Sequence, residues 1–365
     1  MIMDPLLFLP GPTYVPHNVR IAQAKPLVGH RTKHFRSIYR ETVDLLKDLM
    51  YTENDVFILT SSGTGAVEAM IVNIVNEGDK ILVPVFGAFS ERLCEIIRIF
   101  GGTPIPLRYE YGKGPTYEDV KEAIEKNDDL KAIAIVYNDT SPGVTVRDLP
   151  KIAEYSKNEG ILVLVDAISI FGGDKLLVDE WKIDVLVAAS QKCLASPPGL
   201  AFISVSNDAW NVIKSTKKRA YYFDLEKYRQ FDRKNETPFT PAISLLYALN
   251  ESIKTIMDIG YSEWIRNHEK RANIIYEELH KMGAEPFVEK DFRSNTIISF
   301  APPKGIKPSY VVDIMASKYN VYLARGMGPL SEKIVRVGNM GYIGIREIRL
   351  LIELLSEVMG ISKSR

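Results

Sequence analysis

Two stretches, ILVLVDAIS (161–169) and IDVLVAASQKCLASPPG (183–199), decide how the chain folds. Each opens on a short apolar run rich in β-branched residues and stops abruptly on polar ones, Asp166 in the first and Ser190, Gln191 and Lys192 in the second. Near-continuous apolar runs of this length read as strands buried on both faces of a parallel sheet, where helical crossovers cover the two sides. Working outward, DVFILT (55–60), KILVPV (80–85), TPIPLR (103–108), KAIAIVY (131–137) and LAFISVS (200–206) are further strand candidates. Helical patterns near 64–75, 87–100, 116–126 and 148–158 alternate with them. The expectation is an α/β fold with a mostly parallel seven-stranded sheet and helices on both faces.

After Pro241 the pattern changes. Long helices are predicted over 242–258 and 261–282, followed by NTIISF (295–300), a helix over 308–319, the runs VYLAR and IVRVGN, and a last helix from Ile345. This tail reads as a smaller C-terminal α+β domain. The predicted division is an N-terminal arm over 1–20, a large domain over 21–250 and a small domain over 251–365. A chain of 365 residues suits such a division, because single cores stop growing near roughly 250–300 residues.

Composition excludes several classes. Apolar residues make up 46% and charged residues 25%, which fits an ordered globular protein. Lys plus Arg equals Asp plus Glu at 46 each, so there is no net field to gather a nucleic acid. No apolar run approaches the roughly 20 residues a membrane span needs, and MIMDPLLFLPGP lacks the basic and apolar regions of a signal peptide. A cytoplasmic location is expected. The two cysteines, Cys94 and Cys193, are too few for a disulfide framework or a CxxC metal site.

Chemistry gathers past the carboxyl ends of parallel strands. TSSGTGA (60–66) opens a helix with glycines where backbone must approach a ligand and hydroxyls where an anion needs donors, which suits a phosphate. Read alone, it could equally be an ordinary helix cap. Asp166 ends a wholly apolar strand, where a carboxylate is costly unless paired. Lys192 falls between a buried strand and a proline-rich turn. Together they supply what pyridoxal 5′-phosphate requires: an anchor for its phosphate, a partner for its ring nitrogen and an amine for its aldehyde.

These segments resemble the class V aminotransferases of fold type I, in particular the serine–pyruvate and alanine–glyoxylate enzymes. The resemblance runs from LPGPTYVP (9–16) and GHR (29–31) through SSGTGAVEA (61–69), NDTSPGV (138–144), LVDAIS (164–169) and SQKCLASPPG (190–199) to TPAISLLYAL (240–249) and IVRVGNMG (334–341). It implies that Lys192 carries the cofactor as a Schiff base and that Asp166 partners the pyridinium. Ser62, Gly63, Thr64 and Gln191 correspond to phosphate contacts, Phe89 to an aromatic ring stacked on the cofactor, Thr140 to a hydroxyl near its O3′ and Ile168 to the residue on the opposite ring face. Thr240 matches a threonine that reaches the phosphate of a neighbouring subunit, so the resemblance implies a homodimer. Arg336 matches the arginine that grips the substrate carboxylate, a task suited to a planar guanidinium.

Three positions depart from the family: Thr237 stands in place of a common tyrosine, Asp139 of a glutamate and Pro142 of a threonine or serine. The spacing assigns no role to Thr237 or His30. The implied activity moves an amino group from serine or alanine to pyruvate or glyoxylate. Rival readings are a 2-aminoethylphosphonate aminotransferase and a non-catalytic interaction subunit. A cysteine desulfurase is disfavoured, because both thiols lie in the wrong region of the chain.

Overall fold

The computed structural model describes residues 4–361. The first three residues of the expected arm and the last four of the expected small domain lie outside that range. Seven strands form the main sheet: β1 (Asp55–Thr60), β2 (Lys80–Val85), β3 (Thr103–Arg108), β4 (Leu130–Val136), β5 (Leu162–Asp166), β6 (Val185–Ala189) and β7 (Leu200–Val205). Their spatial order is β1-β7-β6-β5-β4-β2-β3. All neighbours pair in parallel except β7, which runs antiparallel to both β6 and β1. A short turn suffices to bring β7 back beside β6, whereas the parallel pairs need helical crossovers.

The central strands β5 and β6 are buried almost throughout, as strands covered on both faces must be. The edge strand β3, TPIPLR, has no fully buried residue and carries two prolines, whose missing N–H groups suit an edge. Helices start where the sequence supplies caps. The Ser62 hydroxyl caps Gly63–Ile74, and Thr116 and Asp119 form a reciprocal capping box at Tyr117–Glu125.

A second hydrophobic core gathers Phe8, Ala272, Ile275, Ile298, Phe300, Val335, Val337, Ile348 and Leu351. It is built on a four-stranded antiparallel sheet, in which Val335–Gly338 lies between Ile297–Ala301 and Ala324–Arg325. Helices Tyr261–Lys281, Pro308–Tyr319 and Ile345–Val358 pack on it. Leu6–Leu7 pairs in parallel with Val321–Tyr322, which ties the start of the chain to this second core.

One buried ion pair locks the main sheet. Asp184, just before β6, is 2% exposed. Its carboxylate accepts hydrogen bonds from Lys157 Nζ at 2.8 and 3.0 Å, from the Val163 amide at 2.8 Å and from the Ser206 hydroxyl at 2.8 Å. It therefore joins a helix to β5, β6 and the end of β7. Lys157 keeps a second partner in Asp208 at 2.8 Å, so the loss on truncation comes mainly from orphaned donors. Asp184→Ala is expected to lower the unfolding free energy by about 2–4 kcal/mol, measured by urea denaturation. A loss below about 1 kcal/mol would contradict this reading.

Candidate active site

Three strand ends build the site. At the end of β5, the Asp166 carboxylate accepts the Ile168 amide at 2.9 Å, while its backbone stays in the sheet through Tyr137 N–H to Asp166 O at 2.8 Å. Burial pushes its carboxyl up to about 6, opposed by the Ile168 hydrogen bond. At the end of β6, the chain enters a turn closed by Ser196 N–H to Ser190 O at 3.1 Å and by the Ser190 hydroxyl to Pro197 O at 2.6 Å. Lys192 emerges from this turn. Burial pulls its ammonium down to about 8, with the charge of Asp166 acting in the opposite direction.

At the end of β1, helix Gly63–Ile74 begins. The first amides of a helix have no partner within it, and Gly63 and Thr64 line the same cavity as Asp166 and Lys192. That cavity opens to solvent and, with its mouth included, holds about 700 Å³ of space free of protein atoms. Its lining brings together Ser62, Gly63, Thr64, Phe89, Thr140, Asp166, Ile168, Gln191 and Lys192.

Two of the sequence-predicted residues stand apart. Thr240 is exposed and does not line this cavity. Arg336 sits behind Thr140, donating from Nη1 to Thr140 O at 2.9 Å and from Nε to Arg325 O at 2.7 Å. It is 7% exposed, and among the described residues no carboxylate lies within ion-pair distance of it. Burial lowers its proton affinity to about 10, and the charge of Asp139 resists that shift. Thr237 is buried and donates to Phe239 O at 2.7 Å; neither it nor His30 lines the cavity. Both thiols are buried, and desolvation pushes Cys94 up to about 11 and Cys193 to about 12, far from reactive thiolates.

Sequence reasoning missed other parts of the site. The Lys192 ammonium donates to the Pro10 carbonyl, and the Thr13 hydroxyl donates to Lys192 O at 3.1 Å, so LPGPT walls the site. A Cβ on Gly11 would come within 2.6 Å of Lys192 Nζ. The motif was visible, but its contact spans about half of the chain. Arg92 lines the cavity with its guanidinium 4.8 Å from the Phe89 ring centroid, one helical turn further on. Its signal, an arginine three residues after the aromatic, is common on any helix.

A family model for aminotransferase class-V matches residues 18–338. An uncharacterized aminotransferase of Methanocaldococcus jannaschii is 41% identical over 345 residues, covering 94% of this chain and 89% of the relative. The soluble hydrogenase 42 kDa subunit of Anabaena cylindrica is 36% identical over 357 residues, covering 97% and 93%. The crystal structure of alanine–glyoxylate aminotransferase from Nostoc sp. superposes with a TM-score of 0.94 at 28% identity, covering 98% of this chain and 96% of that one. The fold is thus that of the fold-type-I aminotransferases dependent on pyridoxal 5′-phosphate. Within it, the chain belongs to the class V aminotransferases.

The residues present fit pyridoxal 5′-phosphate. A Cβ on Gly63 would lie 2.7 Å from Ile168 Cδ1, and one on Gly65 would lie 2.0 Å from Ser61 Oγ, so a side chain at either position would force Ile168 or Ser61 to shift. The Gln191 side-chain amide carries a buried oxygen with no protein partner beside that cradle. Since the oxygen and nitrogen of an amide are interchangeable by a flip, one polar end is free for a phosphate. With Lys192 as the expected Schiff-base amine, pulled by burial down to about 8, cofactor uptake by apoprotein is expected to accelerate up to about that pH and level off above it. Asp166 favours the protonated lysine, so Asp166→Asn is expected to move the midpoint lower. Initial rates of absorbance change on adding pyridoxal 5′-phosphate test this; a profile still climbing about tenfold per unit above pH 9 would contradict it.

Proposed function

We propose that the protein is a transaminase that moves the amino group of serine or alanine to pyruvate or glyoxylate by a two-step, ping-pong cycle at Lys192. The observation that carries this reading is Arg336, a buried guanidinium with no carboxylate partner among the described residues, held one residue from the cavity wall. A buried cation is costly without a directly paired counter-charge, and Asp139 favours its charge without forming an ion pair with it. The carboxylate of an α-amino or 2-oxo acid supplies one. The small acid substrates are proposed from the likeness to alanine–glyoxylate aminotransferase.

When bound, pyridoxal 5′-phosphate supplies an aldehyde that exchanges amines and a ring that accepts carbanion charge. The chain does the rest. Gly63, Thr64, Ser62 and Gln191 hold the phosphate through helix N-terminal amides and side-chain donors. Asp166, a carboxylate in a dry strand-end position, keeps a proton on the ring nitrogen. Phe89 and Ile168 confine the ring between an aromatic and an aliphatic face. Lys192 Nζ tethers the cofactor and, once freed, takes the proton from the substrate Cα; its lowered proton affinity suits a base working near neutral pH. Arg336 orients the substrate so that this proton faces Lys192. Thr240, exposed and outside its own chain's cavity, is proposed to complete the phosphate site of a second subunit in a cytoplasmic homodimer.

The hydrogenase-subunit relative keeps open an alternative, a fold-type-I subunit that works by association. Lys192→Ala is expected to reduce transamination at least about 10²–10⁴-fold. Arg336→Ala is expected to weaken both amino acid and 2-oxo acid by about 2 kcal/mol or more, read in KM. Rates for a panel of amino donors against pyruvate and glyoxylate check both variants. A preference for 2-aminoethylphosphonate would move the assignment to the phosphonate enzyme. Turnover by no donor would favour the association subunit.

A further inference from the structure

Asp139 is a fully buried carboxylate that the proposed mechanism does not use. It lies in the tight hairpin of Asn138–Asp139 and Val144–Thr145, at the end of β4. Its Oδ2 accepts the Phe89 amide at 2.9 Å, the Ser90 amide at 3.0 Å and the Ser90 hydroxyl at 3.1 Å. Its Oδ1 accepts the Ser141 amide at 3.0 Å and the Ser141 hydroxyl at 2.6 Å. The Ser141 hydroxyl in turn accepts the Ala88 amide at 2.7 Å. The first turn of helix Ala88–Ile99 is therefore capped from another part of the chain, with a negative charge at the positive end of its dipole.

Space was kept for this carboxylate. Gly87 has an extended backbone, and a Cβ there would lie 2.4 Å from Asp139 Cγ. On the other side of the hairpin, Thr140 presents its carbonyl to Arg336, and Asp139 is the charge that favours the protonated guanidinium. One short segment thus holds the helix that carries Phe89 and the arginine that enters from the second core.

We infer that Asp139 is a positioning residue that fixes, from one buried carboxylate, both the Phe89 ring over the cofactor cavity and the Arg336 guanidinium behind it. The inference rests on the reading of Arg336 as the carboxylate-binding residue. It links the grip on substrate to the stacking face of the cofactor, two contacts made by separate parts of the fold. Asp139 touches neither substrate nor cofactor and acts through the residues it holds.

The test uses holoprotein of Asp139→Asn, which keeps the shape and removes the charge and one acceptor, and of Gly87→Ala, which keeps the charge and displaces it. Both are expected to change the visible circular dichroism of bound pyridoxal 5′-phosphate, which reports ring orientation without turnover. Both are also expected to raise KM for alanine and glyoxylate at least about fivefold, more than kcat falls, as loss of a substrate-binding contact should. In an Arg336→Ala background, Asp139→Asn should raise KM no further, because the two act on one contact. An unaltered dichroism band with KM within about twofold of wild type, or effects that multiply in the double variant, would overturn the inference. Should Asp139→Asn fail to fold, Gly87→Ala and Ser141→Ala decide by the same two readouts. Wild-type holoprotein whose spectrum responds to no amino donor would sink the transaminase reading instead. A responsive wild type beside an unaffected Asp139→Asn sinks only this one.

Discussion

Everything in this protein depends on burying an amine and a carboxylate at the ends of neighbouring strands. Asp166 closes β5 and Lys192 follows β6, strands that pair in parallel through Asp166 and Val187. The dry interior that makes those strands apolar also raises the acid to about 6 and lowers the amine to about 8. Each group is thus brought nearer to neutral pH by the same desolvation that holds the sheet together. The site is a by-product of the core only in position; its chemistry is set by the core's dielectric.

The elements around that pair each limit one degree of freedom. In the proposed site the helix N-terminus at Gly63 would fix where an anion sits, and the arm residues Pro10 and Thr13 hydrogen-bond to Lys192. The second core brings Arg336 to Thr140. Because Arg336 lies on a strand paired with Ile297–Ala301, its reach is governed by how the small antiparallel sheet packs. Among the described residues no helix is long and apolar enough to cross a membrane.

Much of the main sheet was legible because fully buried strands must be apolar runs and each run ends on a residue of another kind. The seven strands fall where the runs do, with ends displaced by a residue or two: Ile161 and Ile183 precede the paired segments, and Tyr137 follows one. Strand order and the reversal of β7 were not legible, since burial writes the same composition into a parallel and an antiparallel strand. The two-residue pairing of Leu6–Leu7 with Val321–Tyr322 left no periodic trace at all. In the site, Asp166 and Lys192 stood out as polar residues ending apolar strands. Asp139 also stands just past an apolar run, but its partners were not legible: its donors, Phe89 and Ser90, lie about fifty positions away, and only the hydrogen bonds show a carboxylate capping a distant helix. Arg92 likewise becomes a cavity residue only once Phe89 and Asp166 are brought to line one cavity.

The central claim is that the side-chain nitrogen of Lys192, and no other, holds the cofactor aldehyde. Borohydride reduction of holoprotein followed by peptide mass mapping tests it most directly. One reduced pyridoxyl adduct is expected, on the peptide that contains Ser190 to Lys192. An adduct on any other lysine, or a reduced protein with none, would contradict it.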